Sequence, residues 1–356
     1  VSTPSGNTET ESAPAASEQL GQAPKEAAMQ PTVPDDDLIR TAVDLACRAP
    51  SVHNTQPWRW RYDGGVLDLC ADPGRRLAAT DFPGRQLVIS CGAALHHLST
   101  ATTALGWSTD IRRLPDRASP NHLAQIRFHH RTRAPKPHDL DLLTAIRRRY
   151  SDRRPFDPVD PNSPLPVSLK DMLRQYSVRL TVLPRSTRPT LATATELTGA
   201  SRQFDVAYQT ELYWWAGHSQ PDDGIPLEAL ATANDQAQVD IGRRFPIGSD
   251  SGSILHPDQA TILLLSTNGD DRGSWLRAGQ ALSHVLLEAT ATGHATCPLT
   301  HMTEFAPSRN LIGTLLPDAG LPQALIRIGS TNDKQPPRQT PRRPIESILT
   351  ITPRPN

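Results

Sequence analysis

Several features that usually betray a function are scarce in this chain. Only 5% of its 356 residues are aromatic, and its formal net charge is zero. Neither nucleic acid nor an anionic membrane is therefore offered a basic face. Four cysteines, Cys47, Cys70, Cys91 and Cys297, are scattered without a CxxC pair. That spacing fits no metal site and suits buried thiols in a reducing cytoplasm. No apolar run approaches the roughly 20 residues a membrane span requires. Residues 1–34, "VSTPSGNTETESAPAASEQLGQAPKEAAMQPTVP", lack the basic and apolar regions of a secretory signal. Rich in Pro, Ser, Ala and Glu, they are expected to form a disordered tail.

What is present begins with "RAPSVHNTQPWRWR", residues 48–61. Short polar side chains crowd between two prolines, and two tryptophans follow. Upstream, "DDDLIRTAVDLACRAP" carries apolar residues at helical spacing behind three aspartates that favour a helix N-terminus. Downstream, "QPWRWRYDGGVLDLCAD" is a strand, an Asp-Gly-Gly turn and a second strand. "LVISCGAALHHLSTATTALGW" and "WLRAGQALSHVLLEATATGHATCPL" predict long helices, central because they are apolar or small on most sides. "ATILLLST" and "ALIRIGS" predict strands, and residues 190–245 a mostly helical stretch broken at "HSQPDDGIP".

The two long helices align without a gap, residues 92–106 over 279–293, with Gly, Ala, Leu, His, Thr, Ala and Gly coinciding. Each is followed by a strand-like stretch. The pattern predicts a duplicated α+β unit whose copies, 35–135 and 136–356, pack as a pseudo-dimer within one chain.

Polar and cationic residues concentrate in four places. Ser51, Asn54 and Gln56 offer donors and acceptors for a polar, planar or phosphorylated ligand. "RRRYSDRRPF" places Arg149, Ser151 and Arg153 at a helix end, where guanidinium forks and a hydroxyl suit a phosphate. "TPRRPIESIL" adds Arg342 near the C-terminus, and "TCPLTH" predicts a tight turn with exposed backbone N–H groups.

Together these stretches resemble the FMN-binding nitroreductase family. The most specific piece is the "APSxxNxQPW" pattern at Ala49–Trp58; "RRYSDRRPF" and "PRRPIE" bring it closest to the Acg-type branch, double-length single-chain proteins of actinobacteria. The resemblance spans about residues 36–350 and implies the nitroreductase fold, with central helices and antiparallel-rich sheets. It implies FMN as cofactor, NAD(P)H as electron donor and a small electron-poor acceptor, a nitro compound or quinone. It also implies a cofactor set of Ser51, Asn54, Gln56, Pro57, Trp58, Arg59 and Trp60 from the first half. Arg149, Ser151, Arg153, Pro298, Leu299, Thr300 and Arg342 complete it from the second, with Arg153 beside the flavin N1 and Pro298–Thr300 facing N5. Ordinary members are homodimers with two flavins. Here the first half has no arginine-serine cluster and the second no "PSxxN" loop, so one site per monomeric chain is expected.

Other residues carry blander expectations. His96 and His97, adjacent on a helix, point in different directions and do not form a metal site. His53 is read as a packing or ribityl-contacting residue, and Cys297 as an unactivated thiol. Trp214 and Trp215 are read as core or as part of a lid at 208–244 over the flavin. A closed lid would suit a second function, storage of FMN without turnover.

Overall fold

A computed structural model describes Val1 and residues 33–159, 165–217, 221–248, 256–331 and 339–353. The expected disorder of residues 1–34 lies outside the described residues except at its ends. Val33 packs under the Gly65 turn, and Pro34 accepts a hydrogen bond from the Tyr62 hydroxyl at 2.8 Å. Residues 32–356 form one compact unit.

The first half runs α1 (Asp36–Ala46), β1 (Trp58–Asp63), β2 (Val66–Ala71), α2 (Arg85–Ala104), β3 (Trp107–Arg113) and β4 (His122–His130). The second begins with α3 (Pro137–Arg148), α4 (Leu165–Met172), β5 (Arg179–Leu183), α5 (Arg188–Arg202), α6 (Val206–Trp215) and α7 (Ala233–Gln238). It continues with β6 (Thr261–Thr267), α8 (Arg272–Ala291), β7 (Ala295–Leu299), α9 (His301–Glu304), α10 (Ala306–Gly313), β8 (Leu321–Gly329) and β9 (Leu349–Ile351). Side-chain caps fix several starts: Asp35 accepts from Leu38 N at 2.8 Å for α1, and Asp271 from Ser274 N at 2.7 Å for α8.

The sheets carry the duplication. The first has strand order β3-β4-β2-β1-β9, the second β5-β6-β8-β7. Read from the opposite edge, the second is β7-β8-β6-β5, which repeats β3-β4-β2-β1 strand for strand. All these pairings are antiparallel, and each copy has a register shift in the equivalent pair, at Leu69/Cys70 and at Leu265/Ser266. The exception is β9, which returns from the C-terminus to lie parallel to β1, Trp60 opposite Leu349. Alternation along β1 turns Trp58, Trp60 and Tyr62 into the first core and Arg59, Arg61 and Asp63 to solvent.

The central helices α2 and α8 cross where both carry glycine. A Cβ at Gly92 would stand 3.0 Å from Gly279 Cα and inside contact distance of the Leu276 carbonyl; a Cβ at Gly279 would stand 2.9 Å from Gly92 Cα and inside contact distance of the Ile89 carbonyl. The two contacts are reciprocal, as an isologous interface requires. His96 Nδ1 and Ser283 Oγ, 187 residues apart and 2.7 Å from each other, extend the same correspondence. His97 Nδ1 also lies 2.7 Å from Ser283 Oγ. Both histidines are buried and neutral, their pKa held well below the ordinary value by desolvation. The protein is therefore a duplicated α+β pseudo-dimer in one chain.

Gly279→Ala is expected to lower stability by about 1–3 kcal/mol, because backbone rather than a yielding side chain receives the added carbon. Gly199→Ala, in α5 with open space around it, should leave stability unchanged or raise it by up to about 1 kcal/mol. Denaturant midpoints of the two variants test this; equal midpoints would show that the helix crossing is not tight.

Candidate functional site

Between α1 and β1 the chain takes a contorted path. His53, Asn54 and Gln56 hold φ of 47°, 57° and 47°, the left-handed region that non-glycine residues seldom occupy. Hydrogen bonds over-determine the loop. Ser51 Oγ accepts from Gln56 N at 3.0 Å, and Val52 N donates to Ser90 Oγ of α2 at 3.2 Å. The Asn54 amide nitrogen donates to Gly224 O at 2.9 Å and Pro341 O at 3.0 Å. Gln56 Nε2 donates to Asp222 O, and its Oε1 accepts from Arg343 N, each at 2.9 Å. The loop thus knots two distant segments, 222–224 and 341–343, onto the first half. This is what so many short polar side chains between two prolines do.

The knot borders a cleft between the halves. Its walls include Ser51, His53 and Asn54, then Gln86, Ile89 and Ser90 of α2, and Arg149, Ser151 and Arg153 after α3. Cys297, Pro298, Leu299, Thr300 and Arg342 also line it, together with Ile225–Phe245 residues from the segment before β6. No aspartate or glutamate lines this cleft among the described residues, whereas eight arginines do.

Two of those arginines define its polar end. Arg149, 7% exposed, donates through Nη2 to Arg48 O at 3.3 Å, and its Nε and Nη1 have no partner in the protein. Arg342 donates to the same carbonyl at 3.1 Å and to Asn54 Oδ1 at 3.3 Å, leaving its Nε unpartnered. Burial, then the neighbouring Arg342, pulls the Arg149 pKa down to about 9. Burial, then Arg48, pulls Arg342 to about 10. Both stay charged at neutral pH, and the pull comes first from desolvation and then from neighbouring guanidiniums, with Asp44 opposing it at Arg342. Buried guanidinium forks that converge without a carboxylate fit a phosphate group.

The other end is ringed differently. Arg153 Nη1 donates to Ala229 O at 3.2 Å, and its guanidinium lies 4.9 Å from the Phe245 ring centroid. His53 meets the same ring edge-on at 5.8 Å. Arg243 pairs with Glu304 at 2.5 Å and donates to the Tyr208 hydroxyl at 2.6 Å. Burial raises the pKa of Cys297, so the thiol stays protonated and unactivated.

Five expected site residues stand elsewhere. Trp58 and Trp60 are buried in the first core, since period-two alternation points them away from the cleft. Arg59 faces solvent on that strand and pairs with Asp72 at 2.9 Å. Pro57 and Gln56 precede it without lining the cleft, and both ends of the Gln56 amide are spent on the knot. Asn54 lines the cleft, but its amide is equally spent. The tight turn expected at "TCPLTH" is instead strand β7, an edge strand paired with β8, with only Thr300 and His301 beyond it. Pro298 has no N–H, and Leu299 alternates into the β8 ladder because Thr296, accepting from Asp152 N, faces the outer edge, so an outward donor falls to Thr300 just beyond the strand.

The segment expected as a lid is a docked wall. Tyr208, Leu212, Ala216, Ile225, Ala229 and Leu230 form their own small core. Glu211 accepts from Ala79 N at 3.0 Å and Thr80 N at 2.8 Å, and Asp223 pairs with Arg75. Tyr213 and Trp214 are 62% and 57% exposed on the outer side, and Trp215 stacks under Arg75; none lines the cleft. The aromatic side chain of this segment that does is Phe245, missed because it stands alone in a polar stretch; Tyr150, after α3, lines the cleft as well. Gln86 and Ser90 were equally silent, as polar residues inside a helix read for its apolar repeat.

No protein-family model matches the chain. It is 39% identical over 326 residues to a Mycobacterium tuberculosis protein named "Putative NAD(P)H nitroreductase acg", covering 91% of this chain and 98% of that one. A second protein of that organism, "Putative NAD(P)H nitroreductase Rv3131", is 37% identical over 332 residues, 91% and 94% of the two chains. "Probable NAD(P)H nitroreductase PigM" of a Serratia species is 24% identical over 342 residues, 89% and 94%. Among solved structures, the FMN and NADPH-dependent nitroreductase NfnB from sphigopyxis sp. strain HMH superposes on 59% of this chain and 97% of its own, with a TM-score of 0.38 and 17% identity. Identity of this order along nearly the full length of both chains puts the protein in the NAD(P)H nitroreductase family, in its Acg-type branch.

Proposed function

We propose that the protein is an FMN-dependent oxidoreductase that passes hydride from NAD(P)H to a nitro compound or quinone. One observation carries this reading: the guanidiniums of buried Arg149 and half-buried Arg342 line the cleft with unpartnered N–H groups, and no carboxylate lines it among the described residues. Bound FMN would supply the chemistry of taking and giving hydride. The chain supplies binding and electrostatics. Arg149, Arg342 and Ser151 hold the phosphate. Arg153, fixed by Ala229 O and the Phe245 face, gives the ring end a positive charge in a water-poor cleft, where it counts most. Thr300, at the end of β7, offers a backbone donor.

One site per chain follows from the asymmetry of the copies. Gln86 and Ser90 line the cleft; the central-helix correspondence of 187 residues matches them to Gly273 and Arg277, so the related place has a different surface. A second reading, storage of FMN without turnover, draws on the latched wall: Arg243 to Glu304 and Tyr208, Glu211 to Ala79 and Thr80, Asp223 to Arg75.

Purified protein is expected to carry one FMN per chain at the mass of a single chain, measured by absorbance and light scattering. Under anaerobic conditions NADPH should bleach the flavin, and a nitroaromatic or quinone should restore its colour. FMN that stays oxidised in the intact protein but bleaches once Glu211→Gln and Asp223→Asn loosen the wall would favour storage. FMN that never bleaches in either protein would overturn the oxidoreductase reading.

Arg149→Ala is expected to weaken FMN binding by about ten- to hundredfold, the loss of a charge-assisted hydrogen bond of about 1.5–3 kcal/mol. Arg59→Ala, on the solvent face of β1, should leave the affinity unchanged. Fluorescence titration distinguishes them; equal affinities would move the phosphate site.

A further inference from the structure

His53 is the one polar side chain of the 51–56 knot that both lines the cleft and does no hydrogen bonding within the protein. Ser51, Asn54 and Gln56 are committed to backbone partners, as described. His53 is 5% exposed, and neither ring nitrogen has a partner. Its backbone is left-handed at φ 47°. A buried imidazole with unmet donor and acceptor costs about 1–3 kcal/mol, and the backbone conformation adds more. The hydrogen bonds of Asn54 and Gln56 hold the loop's backbone, but none of them satisfies the His53 ring, whose nitrogens are left free to meet a ligand in the cleft.

Its location narrows the partner. The cations that bear on His53 are Arg243 and Arg153, whereas Arg342 bears on Arg149, both of them donating to Arg48 O. The ring rests edge-on against Phe245 of the wall segment. Desolvation first, then Arg243 and Arg153, holds its pKa well below the ordinary histidine value. At neutral pH it is an uncharged imidazole with one N–H and one bare nitrogen. Arg149, Arg342, Ser151, Arg153 and the β7 edge already account for the proposed FMN contacts, and His53 is left over.

We propose that His53 positions the electron acceptor, its neutral imidazole N–H donating a hydrogen bond to a nitro or quinone oxygen. This rests on the FMN-dependent reading of the same cleft. A neutral donor suits such oxygens because it orients a planar, weakly basic group without adding charge beside Arg153 and Arg243. Phe245, beside it, gives the acceptor's ring an apolar surface.

The test uses FMN-loaded protein with nitrobenzene as probe, comparing wild type, His53→Leu and His53→Gln. Nitrobenzene binding to the oxidised protein is followed by calorimetry, and reoxidation is timed after complete anaerobic bleaching, so the reductive step does not enter. His53→Leu should bind nitrobenzene about tenfold more weakly and reoxidise about tenfold more slowly, one lost hydrogen bond in affinity terms. His53→Gln, which keeps a donor, should recover part of both. FMN affinity should stay within about threefold of wild type. The wild-type reoxidation rate should be flat from about pH 6.5 to 8, because a histidine with a lowered pKa does not titrate above its ordinary value. A tenfold loss of FMN affinity in His53→Leu would make His53 a flavin contact and overturn the proposal. So would nitrobenzene binding and reoxidation equal to wild type. Wild-type protein that never bleaches would sink the oxidoreductase reading, and with it the acceptor role, even if nitrobenzene bound in a His53-dependent way, whereas failure of His53→Leu to differ in a protein that bleaches would sink this proposal alone.

Discussion

The backbone-to-backbone packing of α2 on α8 at Gly92 and Gly279 is the contact on which the rest of the structure depends. Side chains on either glycine would push carbonyls of the facing helix away. With both absent, α2 and α8 pack backbone to backbone, and the two sheets hang from that pair in related orientations. The cleft lies along this junction: Gln86, Ile89 and Ser90 of α2 and Leu282 of α8 form part of its lining. A shift of about one ångström in the helix crossing would move the arginines of the second half relative to the loop of the first. Small residues at the crossing are thus a positioning device for a site more than a dozen side chains wide.

Onto that scaffold the chain fastens its cleft with two unlike kinds of interaction. Saturated amides of Asn54 and Gln56 tie the loop, the wall and the C-terminal segment together, so their role is architectural although their motif pointed to a ligand. The guanidinium of Arg149, in contrast, is buried with two nitrogens unpartnered, and Arg342 beside it keeps its Nε unpartnered while its other nitrogens bond Arg48 O, Asn54 Oδ1 and Thr340. The division separates groups whose hydrogen bonds are spent within the chain from groups that keep unpartnered N–H groups. β9 contributes to the first class: by pairing with β1 it carries the segment of Arg342 back across the molecule.

Much of this was legible before any coordinates. The helical repeats, the hairpin after "QPW", the duplication and the arginine-serine cluster all rest on local signals, namely spacing, turn chemistry and self-similarity. The failures share a cause. Trp58, Arg59 and Trp60 belong to a motif, but their side chains follow strand alternation, which sends two into the core and one to solvent. Trp214 and Trp215, being large, suited either the core or a cover for a flat ligand. Which face of α6 they occupy is set by Tyr208 and Leu212 packing inward, and the wall's inner aromatic turned out to be Phe245.

By itself the sequence determined the family, the doubled α+β unit and the cationic character of one cleft, because these reside in residue identities and their order along the chain. The tertiary structure alone decided which polar groups are spent and which are free. Asn54 and His53 are neighbours in one loop, yet the amide finds Gly224 O, Pro341 O and Arg342, while the imidazole finds none. The partners of Asn54 lie 170 to 288 residues away. Hydrogen bonding acts over about three ångströms, so no local reading of the chain could assign those partners before the fold brought them together.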